Sequence, residues 1–443
     1  MAEQTMEVGS VWLAWLATIL LLAIIGYDIR RDPRRLISAR NVVLIGMLVW
    51  YMVEALQAKP AVFAFGGAAY DYGVLLVVLA AASFLIGYHR SRARWFGRVA
   101  QRVAGLQDWT LLCHTLIVGT LLGVIPIVWY GLADPAETWR GLIAGRHGWR
   151  GTLSRPILGD FRASVLMLET FLLGVAWIAM LVLGDRRRTR RMGVLAACVL
   201  AWYLVRCYGT GTRWLVFVSL LTPAAWLYWR ASRSLQRRLV IMALPCALLF
   251  YWFSAAMVAG RNEGRLDFST KPDYVGHEMF RELLFIVDQV PSAHPHAYGR
   301  TLLVEAINPI PRFLWEGKPV GFGVEYARWK GESPLHGGPT LSPGIIGEMY
   351  VNFGLLGIVF LSGFGGVLCR AWDRIGPRVT ESLPVLMFYS IGLGCFLMMG
   401  RSMSIHLFYQ LFAALICLGI ASARQRAVQG ELLTFPWRTR ATA

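Results

Sequence analysis

Apolar residues in this chain come in long runs, and the breaks between runs are short and rich in arginine. Runs of about 17–25 residues are long enough to cross about 30 Å of hydrocarbon as α-helices, which satisfy their own backbone hydrogen bonds. About eleven such spans are expected, at 11–27, 41–57, 71–88, 109–130, 161–184, 192–205, 214–229, 239–258, 343–368, 383–400 and 404–422. The pattern predicts an all-α polytopic membrane protein. One interval breaks the rhythm. Residues 259–342 stay outside an apolar run for far longer than an ordinary connection. Within that interval Val275, Met279, Leu283, Ile286 and Val290 recur at helical spacing, which predicts an amphipathic helix over 274–290 capped by Asp273. A second short helix is expected near 300–307. The chain therefore reads as a single integral membrane domain, 1–443, carrying a large loop subdomain at 259–342.

Composition agrees. The mean hydropathy is +0.51, and 56% of residues are hydrophobic against 16% charged, a combination foreign to soluble domains. The net charge of +18 is mostly a topology signal. Segments 28–40, 89–108, 185–191, 230–238, 370–382 and 423–443 hold 26 of the 44 Lys and Arg residues, in alternate loops. By the positive-inside rule these loops face the cytoplasm together. The N-terminus, with Glu3 and Glu7 and no basic residue before Arg30, then lies outside and the C-terminus inside. The same charge suits anionic lipid. Its scatter over six loops, rather than one surface, speaks against nucleic acid as a partner. The first apolar run lacks a basic leader and a small-residue cleavage site, and reads as a permanent span. Six of the seven cysteines fall in or at the ends of spans and read as packing residues, not a disulfide framework.

The polar residues that carry chemistry gather near 308–358. NPIPRFLWEGKP (308–319) and LHGGP (335–339) are too rich in Pro and Gly for a long helix. Yet Phe313, Trp315, Phe322 and Tyr326 are more aromatic than a disordered linker would be. Arg312, Lys318, Arg328, Lys330 and His336 make the segment a shaped basic site. Glu348 and Asn352 stand one turn apart inside the ninth span, where a carboxylate is costly unless it is paired or faces a wet cavity. Arg213 enters a span behind GTGT, Arg261 follows the next span, and Arg401 lies in GRSMSIH (400–406) between the last two. Glu54, near the outer end of the second span, reads as an interfacial carboxylate. No metal or other cofactor is expected. The chain has no DxD triplet, His277-Glu278 is followed by Arg281 where a zincin needs histidine, and His294-Pro-His296 has no third ligand.

Five of these features resemble, in order and spacing, the bacterial oligosaccharide repeat-unit polymerases, the Wzy group of O-antigen and enterobacterial common antigen polymerases. They are GTR (211–213) entering a span, Arg261 beyond the next, and IPRFLWEGKP (310–319) with its P-x-x-L-W-x-[GN]-[KR]-P pattern. His336 six residues before Ser342-Pro343, and Arg401 between the final spans, complete the set. The resemblance runs from about residue 205 onward. It implies a GT-C-like bundle with short helices in its outer loop, and a metal-independent glycosyltransferase working at the outer face of the bacterial inner membrane. Such an enzyme moves a glycan from a polyprenyl diphosphate carrier to the terminal hydroxyl of another lipid-linked repeat unit. Under this resemblance Arg213, Arg261, Lys318 and Arg401 would hold the diphosphate, because guanidinium and ammonium groups stabilise its developing charge. His336 or Glu348 would activate the hydroxyl. Arg312, Trp315, Tyr326 and Arg328 would contact sugars, with loop packing as the alternative for the aromatics. The implied partners are polyprenyl-diphosphate-linked oligosaccharides, membrane lipids and a chain-length regulator protein. Two other readings stay open: an O-antigen ligase donating to a lipid A core, and a transporter or flippase of lipid-linked sugars. The latter predicts charges along a path through several spans, whereas the ionisable residues here concentrate at outer ends.

Overall fold

The computed structural model of the chain describes residues 11–57, 60–104, 193–198, 231–242, 279–307, 317–331, 342–379 and 383–402, with a few scattered positions elsewhere. Every regular element among them is helical. In chain order they are α1 (Val11–Arg31), α2 (Ala39–Gln57), α3 (Gly67–Arg90) and α4 (Gly97–Ala104). After a long interval come α5 (Met279–Gln289), α6 (Arg300–Ile307), α7 (Phe322–Trp329), α8 (Ile345–Asp373) and α9 (Leu383–Met399). Four helices, α1, α2, α3 and α8, are long and apolar enough to cross a membrane, and α9 is a shorter apolar helix. The chain is a helical membrane protein. The spans expected at 109–130, 161–184, 214–229 and 404–422 lie almost wholly outside the described residues, and those at 192–205 and 239–258 lie partly outside them.

The helices α3 and α8 form the central pair. Their backbones approach closely because glycines face the partner's main chain: Gly87 meets Gly363, and Gly366 meets Phe84 and Tyr88. In hydrocarbon, where apolar surface gains nothing by leaving lipid, such small-residue contacts and the dispersion they allow drive association. Further along, α9 seats Gly392 on the Trp372 ring, whose indole N–H donates to Tyr389 O at 3.2 Å.

One end of the bundle collects arginines. Asp28 at the end of α1 pairs with Arg40 and, at 3.5 Å, with Arg35. Arg40 lies 5.3 Å from the Tyr88 ring centre and within 3.3 Å of His89 Nε2. Asp373 accepts from the Ala39 and Arg40 amides and from the hydroxyls of Tyr88 and Tyr389, so it caps α2 while joining α3, α8 and α9. Arg374 donates to the carbonyls of Ser91, Arg92 and Ala93 at the end of α3. The basic segments 28–40, 89–104 and 370–379, expected to share one side, share this end.

Three expectations need correction. The second span is not a uniform α-helix: Leu48–Met52 is a π-helical turn. This widened turn carries Trp50, whose indole donates to Leu397 O at 3.1 Å, and Tyr51, whose hydroxyl accepts from the Ile346 amide at 3.1 Å. The ninth span is broken at Phe353 (φ −143°, ψ 19°) and Gly354 (φ 60°, ψ −141°). Glu54, finally, is not an interfacial carboxylate. It is buried and accepts the Phe280 and Arg281 amides at 2.9 and 3.2 Å, capping the start of α5. Asp273, the expected cap, lies outside the described residues.

Candidate functional site

The end of the bundle opposite the arginines holds the start of α8, and there two of the singled-out residues come together. The entry to α8 is Ser342-Pro343-Gly344. Gly344 adopts φ +75°, and a Cβ there would meet the Tyr51 hydroxyl at 2.4 Å, so this turn demands glycine. The following amides leave the helix unpaired by geometry and find partners on neighbouring elements. Ile345 N–H donates to Gly400 O at 3.3 Å and Ile346 N–H to Tyr51. The turn after α9, Gly400-Arg401-Ser402, is thereby locked to α8. Ser342 Oγ donates to Arg401 O at 2.9 Å, and Ser402 Oγ donates to Glu348 Oε1 at 2.7 Å. Glu348 is buried, in the first turn of its helix, where a negative charge is favoured by the helix dipole. Arg401 is partly exposed in the adjoining turn. A carboxylate and an arginine-bearing turn, 53 positions apart in sequence, are thus held at one spot.

One turn further along α8, next to the break, Asn352 anchors the outer loop. Its side-chain amide donates to Thr301 Oγ1 at 2.6 Å and to Glu348 O at 2.8 Å, and its Oδ1 accepts the Gly299 amide at 3.0 Å. The carbonyls of Val351 and Asn352, released by the helix break, accept from the Ala297 and Tyr298 amides at 2.8 and 2.9 Å. Broken helices inside membrane proteins need such replacement partners. The His296 ring closes the same joint. Its Nδ1 lies 3.4 Å from Val351 O, and a Cβ on Gly354 would stand 3.3 Å from the imidazole.

The rest of the described loop is tied down by charge and aromatic packing. Glu282 on α5 pairs with Lys330 at 2.8 Å and accepts the Tyr326 hydroxyl. Burial pushes the Tyr326 phenol well above its ordinary range, and the Glu282 carboxylate beside it adds to the shift. Arg300 on α6 pairs with Glu325 on α7, and His294 stacks on Trp329 with ring centres 4.0 Å apart.

The other sequence-derived candidates do not join Glu348 and Arg401. Lys318 is largely buried and its ammonium donates to Ile310 O at 2.9 Å, within its own loop. Tyr326 is fully buried between Phe285, Phe322 and Trp329, so its ring packs the loop and offers no face to a sugar. Trp315 is exposed, and Arg328 lies on the exposed side of α7. Arg213, Arg261, Arg312 and His336 lie outside the described residues. His294 and His296 have separate partners, and among the described residues no three His, Cys, Asp or Glu side chains group to hold a metal.

Sequence reasoning missed Ser402, Tyr51 and the Glu282–Lys330 pair. Ser402 was within reach, since it directly follows Arg401 in the hairpin. Tyr51 and Glu282 had no local signal, because what makes them important is a partner distant in sequence. The chain matches no family model, no curated protein and no solved structure.

Proposed function

We propose that this protein polymerises polyprenyl-diphosphate-linked oligosaccharide repeat units into a surface polysaccharide, by glycosyl transfer at the outer face of a bacterial inner membrane. The observation that carries the reading is the docking of the Arg401 turn on the start of α8, where Ser342 Oγ donates to Arg401 O, because Ser342-Pro343 and Arg401 are both among the elements that resemble the Wzy group. In this reading the arginine-rich end is cytoplasmic and the Glu348 end is outside, with the N-terminus outside and the C-terminus inside.

The acceptor sugar's hydroxyl oxygen forms a bond to the donor's anomeric carbon as the bond from that carbon to the diphosphate oxygen breaks. The proton passes to His336 or Glu348, and polyprenyl diphosphate leaves. Arg213, Arg261 and Arg401 balance the charge growing on the leaving group. A guanidinium meets phosphate oxygens in pairs, which an ammonium cannot do. The site lies at the membrane boundary, where a lipid-linked donor presents its head group.

The test is the glycan ladder of a deletion strain complemented with wild type or with Arg213→Lys, Arg261→Lys and Arg401→Lys. A single-repeat product without the gene, restored to a ladder by wild type but not by the three variants at equal membrane levels, is expected. Complete loss of glycan on lipid A would make the protein a ligase instead, and accumulation of lipid-linked repeats in the cytoplasmic leaflet a flippase. Full ladders from all three lysine variants would remove the diphosphate clamp.

A further inference from the structure

The depth of the outer loop in the membrane follows from the lengths of the helices it touches. Beyond the break at Phe353 and Gly354, the limb of α8 from Leu355 to Arg370 spans about 24 Å at about 1.5 Å per residue, some 6 Å less than a hydrocarbon core of about 30 Å. The residues before the break fold back beside this limb, with Ser362 Oγ donating to Met349 Sδ at 3.3 Å. Its polar end is fixed by Arg370, Asp373 and Arg374, which bind the ends of α2 and α3. With Arg370 at one boundary, the opposite boundary lies about 6 Å beyond the break. The break at Phe353 and Gly354 then lies about one turn inside the hydrocarbon. A second helix gives the same level. Counting back about 20 residues from His89 on α3 reaches Tyr70, and one turn deeper a Cβ on Gly73 would meet Leu284 and Phe280 of α5 at 2.5 and 3.2 Å.

Residues 297–301 are hydrogen-bonded to that break, so they share its depth. Apart from Arg300, what this segment and the start of α6 expose there is aromatic or apolar. Tyr298 is 75% exposed and Leu303, on the first turn of α6, 63%. Gly299 lies against the Phe353 ring, 3.3 Å from where its Cβ would stand, and Phe353 and Leu356 of α8 are themselves exposed. The open apolar surface of a spanning helix therefore continues without interruption onto the outer loop. The neighbouring Arg300 pairs with Glu325 of α7 while its side chain stays 62% exposed, as a snorkelling arginine at interface level does. Tyr298 also holds φ +46°, a left-handed conformation that a residue with a bulky side chain adopts only under constraint. Its backbone is constrained by the bond to Asn352 O, and the result is a tyrosine projecting at interface level, where tyrosines are enriched.

We infer that the outer loop is a re-entrant membrane anchor, in which Tyr298 and Leu303 contact lipid beside the broken helix α8. The occupant of this surface is bilayer lipid: headgroup-level for the Tyr298 hydroxyl, acyl chain for Leu303 and the Phe353–Leu356 face. This goes beyond the transfer reaction and does not depend on it.

Photo-cross-linking in the full-length protein tests it. p-Benzoylphenylalanine is placed singly at Tyr298, at Leu303 and, as the aqueous reference, at Arg328 on the exposed side of α7. Each variant is reconstituted in vesicles containing radiolabelled phospholipid and illuminated, after gel filtration confirms a monodisperse fold. Several-fold more lipid adduct at 298 and 303 than at 328 is expected. Equal adduct at all three positions would overturn the inference, as would adducts at 298 and 303 confined to a second copy of the chain. Two positions guard against misfolding of either variant. Loss of polymerase activity in the deletion strain leaves this measurement untouched, so the two readings fail separately.

Discussion

Replacing Gly366 by alanine places a Cβ 2.0 Å from Phe84 O and 2.6 Å from the Tyr88 amide nitrogen. These are backbone atoms of α3, so no side chain can rotate away. Ordinary contact needs about 3.4 Å or more, and the two helices must part by about 1 Å along the central seam. Overpacking of this kind costs about 1–3 kcal/mol, against about 1 kcal/mol gained from the better helix propensity of alanine. The next residue supplies an internal control. A Cβ on Gly365 has its nearest neighbour, Phe84 Cδ2, at 3.9 Å, so Gly365→Ala keeps the propensity gain without the clash. The partner helix repeats the contrast. Gly87→Ala would meet Gly363 O at 2.0 Å, whereas a Cβ on Gly363 stands 3.7 Å from Ser83 O. Thermal unfolding of detergent-solubilised protein, followed by the loss of monodisperse material on gel filtration, separates the pairs. Gly366→Ala and Gly87→Ala should melt several degrees below wild type, and Gly365→Ala and Gly363→Ala at or above it. If Gly366→Ala is as stable as Gly365→Ala, the close α3–α8 seam is wrong and so is the account of what holds the bundle together.

Two further changes probe the outer end. Asn352→Leu removes the acceptor for Gly299 N–H and the donors to Thr301 and Glu348, which should cost about 2–4 kcal/mol and open 296–301 to protease. Resistance of that segment equal to wild type would show that Asn352 does not hold the loop. Glu282→Gln leaves Lys330 without its carboxylate and weakens the bond from Tyr326, lowering stability by about 2–3 kcal/mol, while the double variant with Lys330→Met should recover part of it. Additive losses in that cycle would mean the pair is not coupled.

Much of the architecture was legible because it depends on local, additive properties of the chain. Apolar runs longer than a bilayer is thick must be helices, so the membrane class and the positions of α1, α3 and α8 follow from counting residues. Three of the arginine-rich segments, 28–40, 89–104 and 370–379, share one end, in keeping with a charge cost at the membrane boundary that is set residue by residue. Local periodicity placed α5 and α6. Glu348 and Arg401 stood out from sequence because charges beside apolar spans are rare.

What the sequence could not determine is which groups meet. Asp273 was an ordinary cap for α5, and nothing nearby revealed that Glu54, more than 200 positions earlier, takes that role for the described turn. Helix breaks are likewise silent: apart from Glu348 and Asn352 the run through Phe353 and Gly354 is apolar, and the chain departs from the helix there because the 297–301 segment supplies the hydrogen bonds that the break removes. Tyr326 looks from sequence like any loop aromatic suited to a sugar, and only the fold, by covering it with Phe322, Phe285 and Trp329, makes it core. Hydropathy and charge fix where a segment sits relative to the membrane, because the bilayer acts on each residue separately. Pairing across the bundle depends on distances between residues far apart in the chain, and those exist only once it has folded.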